Sequence, residues 1–196
     1  MRRFAAMDDR VRAFLAVDLA VATVRRIGEA QAGVRRVAES KGFRVSWVDP
    51  ARMHVTLKFL GDVHAELIPA IGDRVARALG GRRPFEVEAA GLGAFPSLER
   101  PRVLWAGMRD AGPMTDLARA LEGAMVELGL PAADRAFHAH VTLGRVKEGA
   151  GPAEFLSDLR ETSFGNSRID DVVLYRSTLN PKGPEYRALL RVPLGT

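Results

Sequence analysis

Apolar residues recur along this chain with two periods, and the switches between them mark out the elements. Val11 to Leu19 (VRAFLAVDL) alternates well enough for a buried strand. From Ala20 to Ser40, Val21, Val24, Ile27, Val34 and Val37 recur at helical spacing with arginines between them, and Lys41-Gly42 stops the run. Val45 to Val48 reads as a short strand turned by Asp49-Pro50, and Met53 to Leu60 as a longer one ended by Gly61-Asp62. Leu67, Ile71, Val75 and Leu79 form one stripe of a second helix, from about Ala65, that Gly80-Gly81 closes. Phe85 to Ala90 alternates as a strand, Gly91 to Ser97 (GLGAFPS) reads as a loop, and Val103 to Met108 is a strand. Leu117, Leu121, Met125 and Leu128 define a third helix over Met114 to Leu128. Ala139 to Val146 is a strand, Pro152 to Leu159 a short helix, and Ile169 to Ser177 and Tyr186 to Val192 two late strands about a turn at Asn180–Pro184. The order β-α-β-β-α-β-β-α-β-α-β-β predicts an α+β fold with antiparallel pairing. Residues 1–10 read as a flexible tail and 11–196 as a single domain.

Two of the predicted strands carry the same tetrapeptide. His54-Val55-Thr56-Leu57 and His140-Val141-Thr142-Leu143 hold two of the chain's four histidines. Side chains alternate across a strand, so each copy turns an imidazole and a hydroxyl to one face, roughly 6–7 Å apart, and Val and Leu to the other. Each copy precedes a helix across a Gly-containing break, which suggests two related halves.

Two imidazoles suit proton transfer near neutral pH, one accepting and one donating. Two hydroxyls suit hydrogen bonds to anionic oxygens. In-line displacement at a phosphodiester makes both demands. Metal ligation finds no support: there is no His-x-x-x-His, no carboxylate beside either histidine within the motif and no cysteine. Arg145 follows the second copy and is a candidate bidentate phosphate clamp. Lys58 follows the first, on the His54/Thr56 face by alternation, where it either adds positive potential or is solvated. His138 is placed behind the site at best, and His64 is read as exposed or capping. Phe14, Trp47, Phe59, Trp105, Phe137 and Tyr175 read as core, whereas Phe95, in the Gly- and Pro-bounded loop, is a candidate for base stacking.

Composition narrows the setting. With 196 residues and a hydrophobic fraction of 47%, the chain is long enough for a substantial core. The absence of cysteine excludes disulfides and thiolate chemistry. The absence of a long apolar run or signal-like start predicts a cytoplasmic protein with no membrane partner. A net charge of +5 favours an anionic partner such as RNA or a nucleotide, or reflects solubility alone. Nothing demands a second chain, so a monomer is expected.

Together these residues resemble the 2H phosphoesterase superfamily, and within it the bacterial and archaeal RNA 2′,3′-cyclic phosphodiesterases, also called 2′-5′ RNA ligases. The resemblance is carried by Arg12-Ala13-Phe14-Leu15-Ala16-Val17, Trp47-Val48, the run His54 to Gly61, Phe95-Pro96-Ser97, Pro101 to Trp105, the run Phe137 to Arg145, and Leu174-Tyr175-Arg176-Ser177. It departs at Ala139, where the family pattern has proline. The resemblance implies two pseudo-symmetric lobes of antiparallel sheet with outer helices, the motif strands facing a central cleft. It implies hydrolysis of an RNA 2′,3′-cyclic phosphate end, or of a small cyclic nucleotide, to a 2′-phosphomonoester, with no metal or organic cofactor expected. His54 is then the proton donor and His140 the acceptor, with Thr56, Thr142 and Arg145 holding the phosphate. Joining of RNA ends through a 2′-5′ bond at the same site, and a module that binds RNA or nucleotides without turnover, remain open alternatives.

Overall fold

A computed structural model of the protein describes residues 9–109, 111–148, 156, 158–181 and 183–195. In chain order the elements are β1 (Arg10–Val17), α1 (Val21–Ser40), β2 (Arg44–Trp47), β3 (Val55–His64), α2 (Ile68–Leu79), β4 (Phe85–Phe95), β5 (Val103–Arg109), α3 (Gly112–Glu127), β6 (His140–Glu148), β7 (Ser163–Ile169), β8 (Asp171–Asn180) and β9 (Gly183–Pro193). All strand pairs are antiparallel, in the order β7-β4-β5-β6-β3-β1-β8-β9, with β2 laid along β6. The fold is therefore α+β, as the mixed element order predicts. No helix is long and apolar enough to cross a membrane among the described residues.

The sheet has two halves. β1 and β3 pair along their whole length, whereas β3 and β6 pair only at Val55↔Val141. The junction divides the sheet into β7-β4-β5-β6, with β2 beside β6, and β3-β1-β8-β9. The path β1-α1-β3 in one half repeats as β5-α3-β6 in the other, and each helix crosses the junction: α1 packs on β7 and α3 on β3. Helices cover one face of the sheet, burying Leu15, Ile27, Ile71, Leu104, Leu121 and Leu143 completely. Each such side chain stabilises the fold by about 1.5–3 kcal/mol.

The helix α1 stripe differs from the apolar reading. Its buried face is Thr23, Ile27, Gln31, Val34 and Ala38, while Val21 is 87% exposed. The polar members are there because they satisfy strand groups. Ser167 on β7 accepts from the Ala20 N–H and donates to Thr23 Oγ1, so the helix is capped from the sheet rather than by its own N-cap side chain.

Four boundaries also differ. The stretch read as a loop at Gly91–Ser97 is strand through Phe95. Its glycines serve packing: a Cβ at Gly93 would run into the Trp105 indole, and one at Gly91 into the Arg160 carbonyl. Gly61-Asp62 does not end β3; a bulge at Leu60 carries the strand on to His64. The late strand read from Ile169 is two strands broken at Asp170, because β7 and β8 lie on opposite halves of the sheet. The polar, glycine-interrupted β7 (SFGNSRI) has no clean period. The start of the chain read as a tail gives Arg10 to β1; residues 1–8 lie outside the described residues, as does most of the short helix read at Pro152–Leu159.

Candidate active site

The Val55↔Val141 pair sits between the two motifs and works as their symmetry point. Counting outward in antiparallel register, His54 lies across from Thr142 and Thr56 across from His140. Val55 and Val141 are fully buried, so alternation turns both imidazoles and both hydroxyls to the opposite face. That face is a cleft of about 710 Å³ lined by His54, Thr56, His140, Thr142 and Arg145. All five residues singled out from the sequence meet there.

Arg145 reaches the cleft because of a bulge. On β6, Trp105 pairs with Thr142 and Leu104 with Gly144, which leaves Leu143 as an extra residue. Without it, alternation would send Arg145 to the core face. On β3, Leu57 is the extra residue in the same way, between Thr56↔Ala16 and Lys58↔Leu15. The two bulges are equivalent, so the partner of Arg145 in the first motif is Phe59, not Lys58.

This corrects two readings. Lys58 is 4% exposed and faces away from the cleft, where its ammonium donates to Glu122 Oε1 (2.8 Å) and the Pro131 carbonyl (2.7 Å). Phe59, read as core, is 66% exposed and lines the cleft. The sequence signal for both was the spacing from the histidine: Phe59 and Arg145 each stand five positions on.

Both imidazoles are held alike. His54 Nδ1 donates to the Arg52 carbonyl at 2.9 Å, and His140 Nδ1 to the His138 carbonyl at 2.7 Å. Each bond reaches back two residues and engages Nδ1, leaving Nε2 for other partners. His54 Nε2 also lies 3.1 Å from Thr56 Oγ1. Burial lowers the proton affinity of both rings below the ordinary histidine range, and the backbone bonds partly offset it. The remaining influences differ in sign. The Asp18 carboxylate raises the affinity of His54, whereas the His138 ring and the Arg145 guanidinium lower that of His140; His54 also feels His140.

The rings around the two histidines differ too. His54 stacks on Phe14 at 4.9 Å and meets the edge of Tyr186 at 5.2 Å. Phe14 stacks in turn on Tyr175, whose hydroxyl donates to Asp18 at 2.8 Å. Burial and that carboxylate push the Tyr175 phenol up. His140 meets the edge of Phe95 at 5.1 Å, and the exposed His138 packs between Phe95 and Trp105. Phe95 thus supports His140 rather than projecting from a loop. His64 ends β3, exposed, with no capping bond from its side chain. Tyr186 and Asp18 escaped the sequence reading because β9 and the end of β1 come to His54 only through the sheet order. Among the described residues, no three His, Cys, Asp or Glu side chains gather into a metal-holding group.

Comparison with known proteins agrees with this geometry. A family model described as LigT-like phosphoesterase matches residues 17–105 and 109–186. The chain is 36% identical over 183 residues to an RNA 2′,3′-cyclic phosphodiesterase of Methanothermobacter thermautotrophicus, covering 90% of this chain and 95% of that one. A crystal structure from Thermus thermophilus superposes with a TM-score of 0.78 at 32% identity, covering 93% of this chain and 97% of the other. Crystalline E. coli LigT complexed with 3′-AMP gives a TM-score of 0.71 at 26% identity, covering 95% and 99%.

Proposed function

The chain belongs to the LigT-like phosphoesterase family of 2H phosphoesterases, and from that premise we propose that it hydrolyses RNA 2′,3′-cyclic phosphate ends to 2′-phosphomonoesters. The observation that carries this reading is the single Val55↔Val141 pair, which sets each imidazole across from the other motif's threonine over one cleft.

In the proposed reaction, His140 Nε2 takes a proton from water as the water oxygen attacks phosphorus. His54, protonated on Nε2, gives its proton to the departing 3′ oxygen. The P–O3′ bond breaks opposite the new P–O bond, leaving a 2′-phosphate and a free 3′-hydroxyl. His54 ends neutral and His140 protonated, so proton exchange with solvent resets the site. Thr56, Thr142 and Arg145 donate to the non-bridging oxygens, where charge is concentrated in the transition state. The donor and acceptor roles are supported by the surroundings: Asp18 favours a proton on His54, and Arg145 disfavours one on His140. Phe59 offers an exposed ring face beside the phosphate site for the terminal base.

The scheme needs no metal ion, because imidazoles move the protons and hydroxyls and a guanidinium hold the charge. The test is incubation of the chelator-treated protein with an oligoribonucleotide ending in a 2′,3′-cyclic phosphate, with the product end identified. A 2′-phosphate with a 3′-hydroxyl is expected. A 3′-phosphate product, joined RNA as the main product, or activity only with added metal would each count against it.

A further inference from the structure

The cleft continues past the imidazoles along β1 and β3. We infer that Arg12, at its far end, holds a backbone phosphate of the RNA strand upstream of the reacting end, an assignment that deepens the phosphodiesterase reading and rests on it. Arg12 and Phe14 are two residues apart on β1 and share a face, and Phe14 is the ring stacked on His54. Opposite them, the register runs Ala16↔Thr56, Phe14↔Phe59, Ala13↔Gly61 and Arg12↔Asp62. At ~3.3 Å per residue, Arg12 lies about 13 Å along the strand from the level of Thr56. Arg12, Phe59 and Gly61 line the same cleft as the two histidines.

The path between them is open. A Cβ at Gly61 would meet nothing within 4 Å, so the floor beyond Phe59 carries no side chain. A strand leaving the phosphate site passes Phe59, crosses Gly61 and meets an exposed guanidinium. Arg12 is uncommitted: among the described residues it has no hydrogen bond or ion pair. Arg52, another cleft arginine, is by contrast tied to the Pro184 carbonyl at 2.6 Å and to Asp49 at 3.6 Å. Asp62 stands directly opposite Arg12 without bonding it. Its carboxylate opposes an incoming phosphate and supplies an internal control of opposite sign.

Two readouts test this. The first compares KM for an oligoribonucleotide ending in a 2′,3′-cyclic phosphate with KM for a mononucleotide 2′,3′-cyclic phosphate, which is too short to reach Arg12. Arg12→Ala is expected to raise the oligonucleotide KM about tenfold, the size of one charge-assisted hydrogen bond. The mononucleotide KM and both kcat values stay at wild-type levels, and Arg12→Lys recovers part of the loss. The second reads binding of an oligoribonucleotide with a 2′-phosphate end against salt. The slope of log Kd should fall by about 0.7 in Arg12→Ala, and Asp62→Asn should tighten binding. Equal loss on both substrates, or unchanged oligonucleotide affinity and salt slope, would overturn the assignment. A wild-type protein that turns over neither substrate defeats the phosphodiesterase reading instead, and the binding series still decides Arg12.

Discussion

Gln31 and Leu143 stand 112 residues apart and are joined by a 2.8 Å hydrogen bond from the Gln31 amide to the Leu143 carbonyl. The same amide donates to the Val48 carbonyl at 2.7 Å. Leu143 is the bulged residue that turns Arg145 into the cleft, so a helix on the far face of the sheet holds a cleft-lining arginine in place. Glu122 occupies the same position in α3 as Gln31 does in α1, ten residues past the helix start, and holds Lys58 beside the bulge at Leu57.

Gln31→Leu should therefore act on both stability and the site. The Leu143 carbonyl keeps the Val48 N–H at 2.8 Å, whereas the Val48 carbonyl loses the Gln31 amide; that loss costs about 1–3 kcal/mol, read as a lower Tm in calorimetry. Phosphate affinity should fall as Arg145 loses its fixed direction. A Tm loss with unchanged phosphate binding would separate the bulge from the site.

Lys58→Met should behave differently. Its ammonium faces Glu122 and Pro131, away from the cleft. Thermal unfolding should shift down by roughly 1–3 kcal/mol of stability, while kcat and KM stay near wild type. A selective loss of kcat would return Lys58 to the active site.

The pH profile follows from the signs. In the proposed mechanism the active form carries a proton on His54 and none on His140, so kcat/KM rises with pH through one apparent pKa and falls through the other. Burial lowers both histidines, so the bell should centre on the acid side of the ordinary histidine value of 6.5. Asp18→Asn removes an influence that keeps the proton on His54 and should draw the alkaline limb to lower pH. Arg145→Ala removes one that keeps His140 neutral and should move the acid limb to higher pH. Steady-state rates over a pH series check each limb; limbs that do not move, or move oppositely, contradict the assigned roles.

Much of this was legible before the structure. Alternation in His-Val-Thr-Leu states which side chains share a face, and the repeat states that there are two such strands. The helices were readable from Ile71/Val75/Leu79 and Leu117/Leu121/Met125 because apolar stripes of that period have one explanation. What alternation could not state was where it breaks. A bulge leaves no residue signature in Leu57 or Leu143, and each one reversed the side of the residues that follow it directly, hiding Phe59 and misplacing Lys58. Gln31 and Thr23 were invisible for a related reason: a polar residue on a buried helix face is specified by the carbonyl it meets, which lies elsewhere in the chain. Gly91 and Gly93 look like turn signals, yet answer to the Arg160 backbone and the Trp105 ring.

The central claim is proton transfer by two imidazoles, and initial rates with an RNA 2′,3′-cyclic end decide it most directly when wild type is compared with His54→Ala and His140→Ala. Each variant should lose about 10²–10⁴-fold in kcat, the usual contribution of a positioned acid or base, with its fold intact by circular dichroism. A near-wild-type rate in either folded variant would contradict the mechanism.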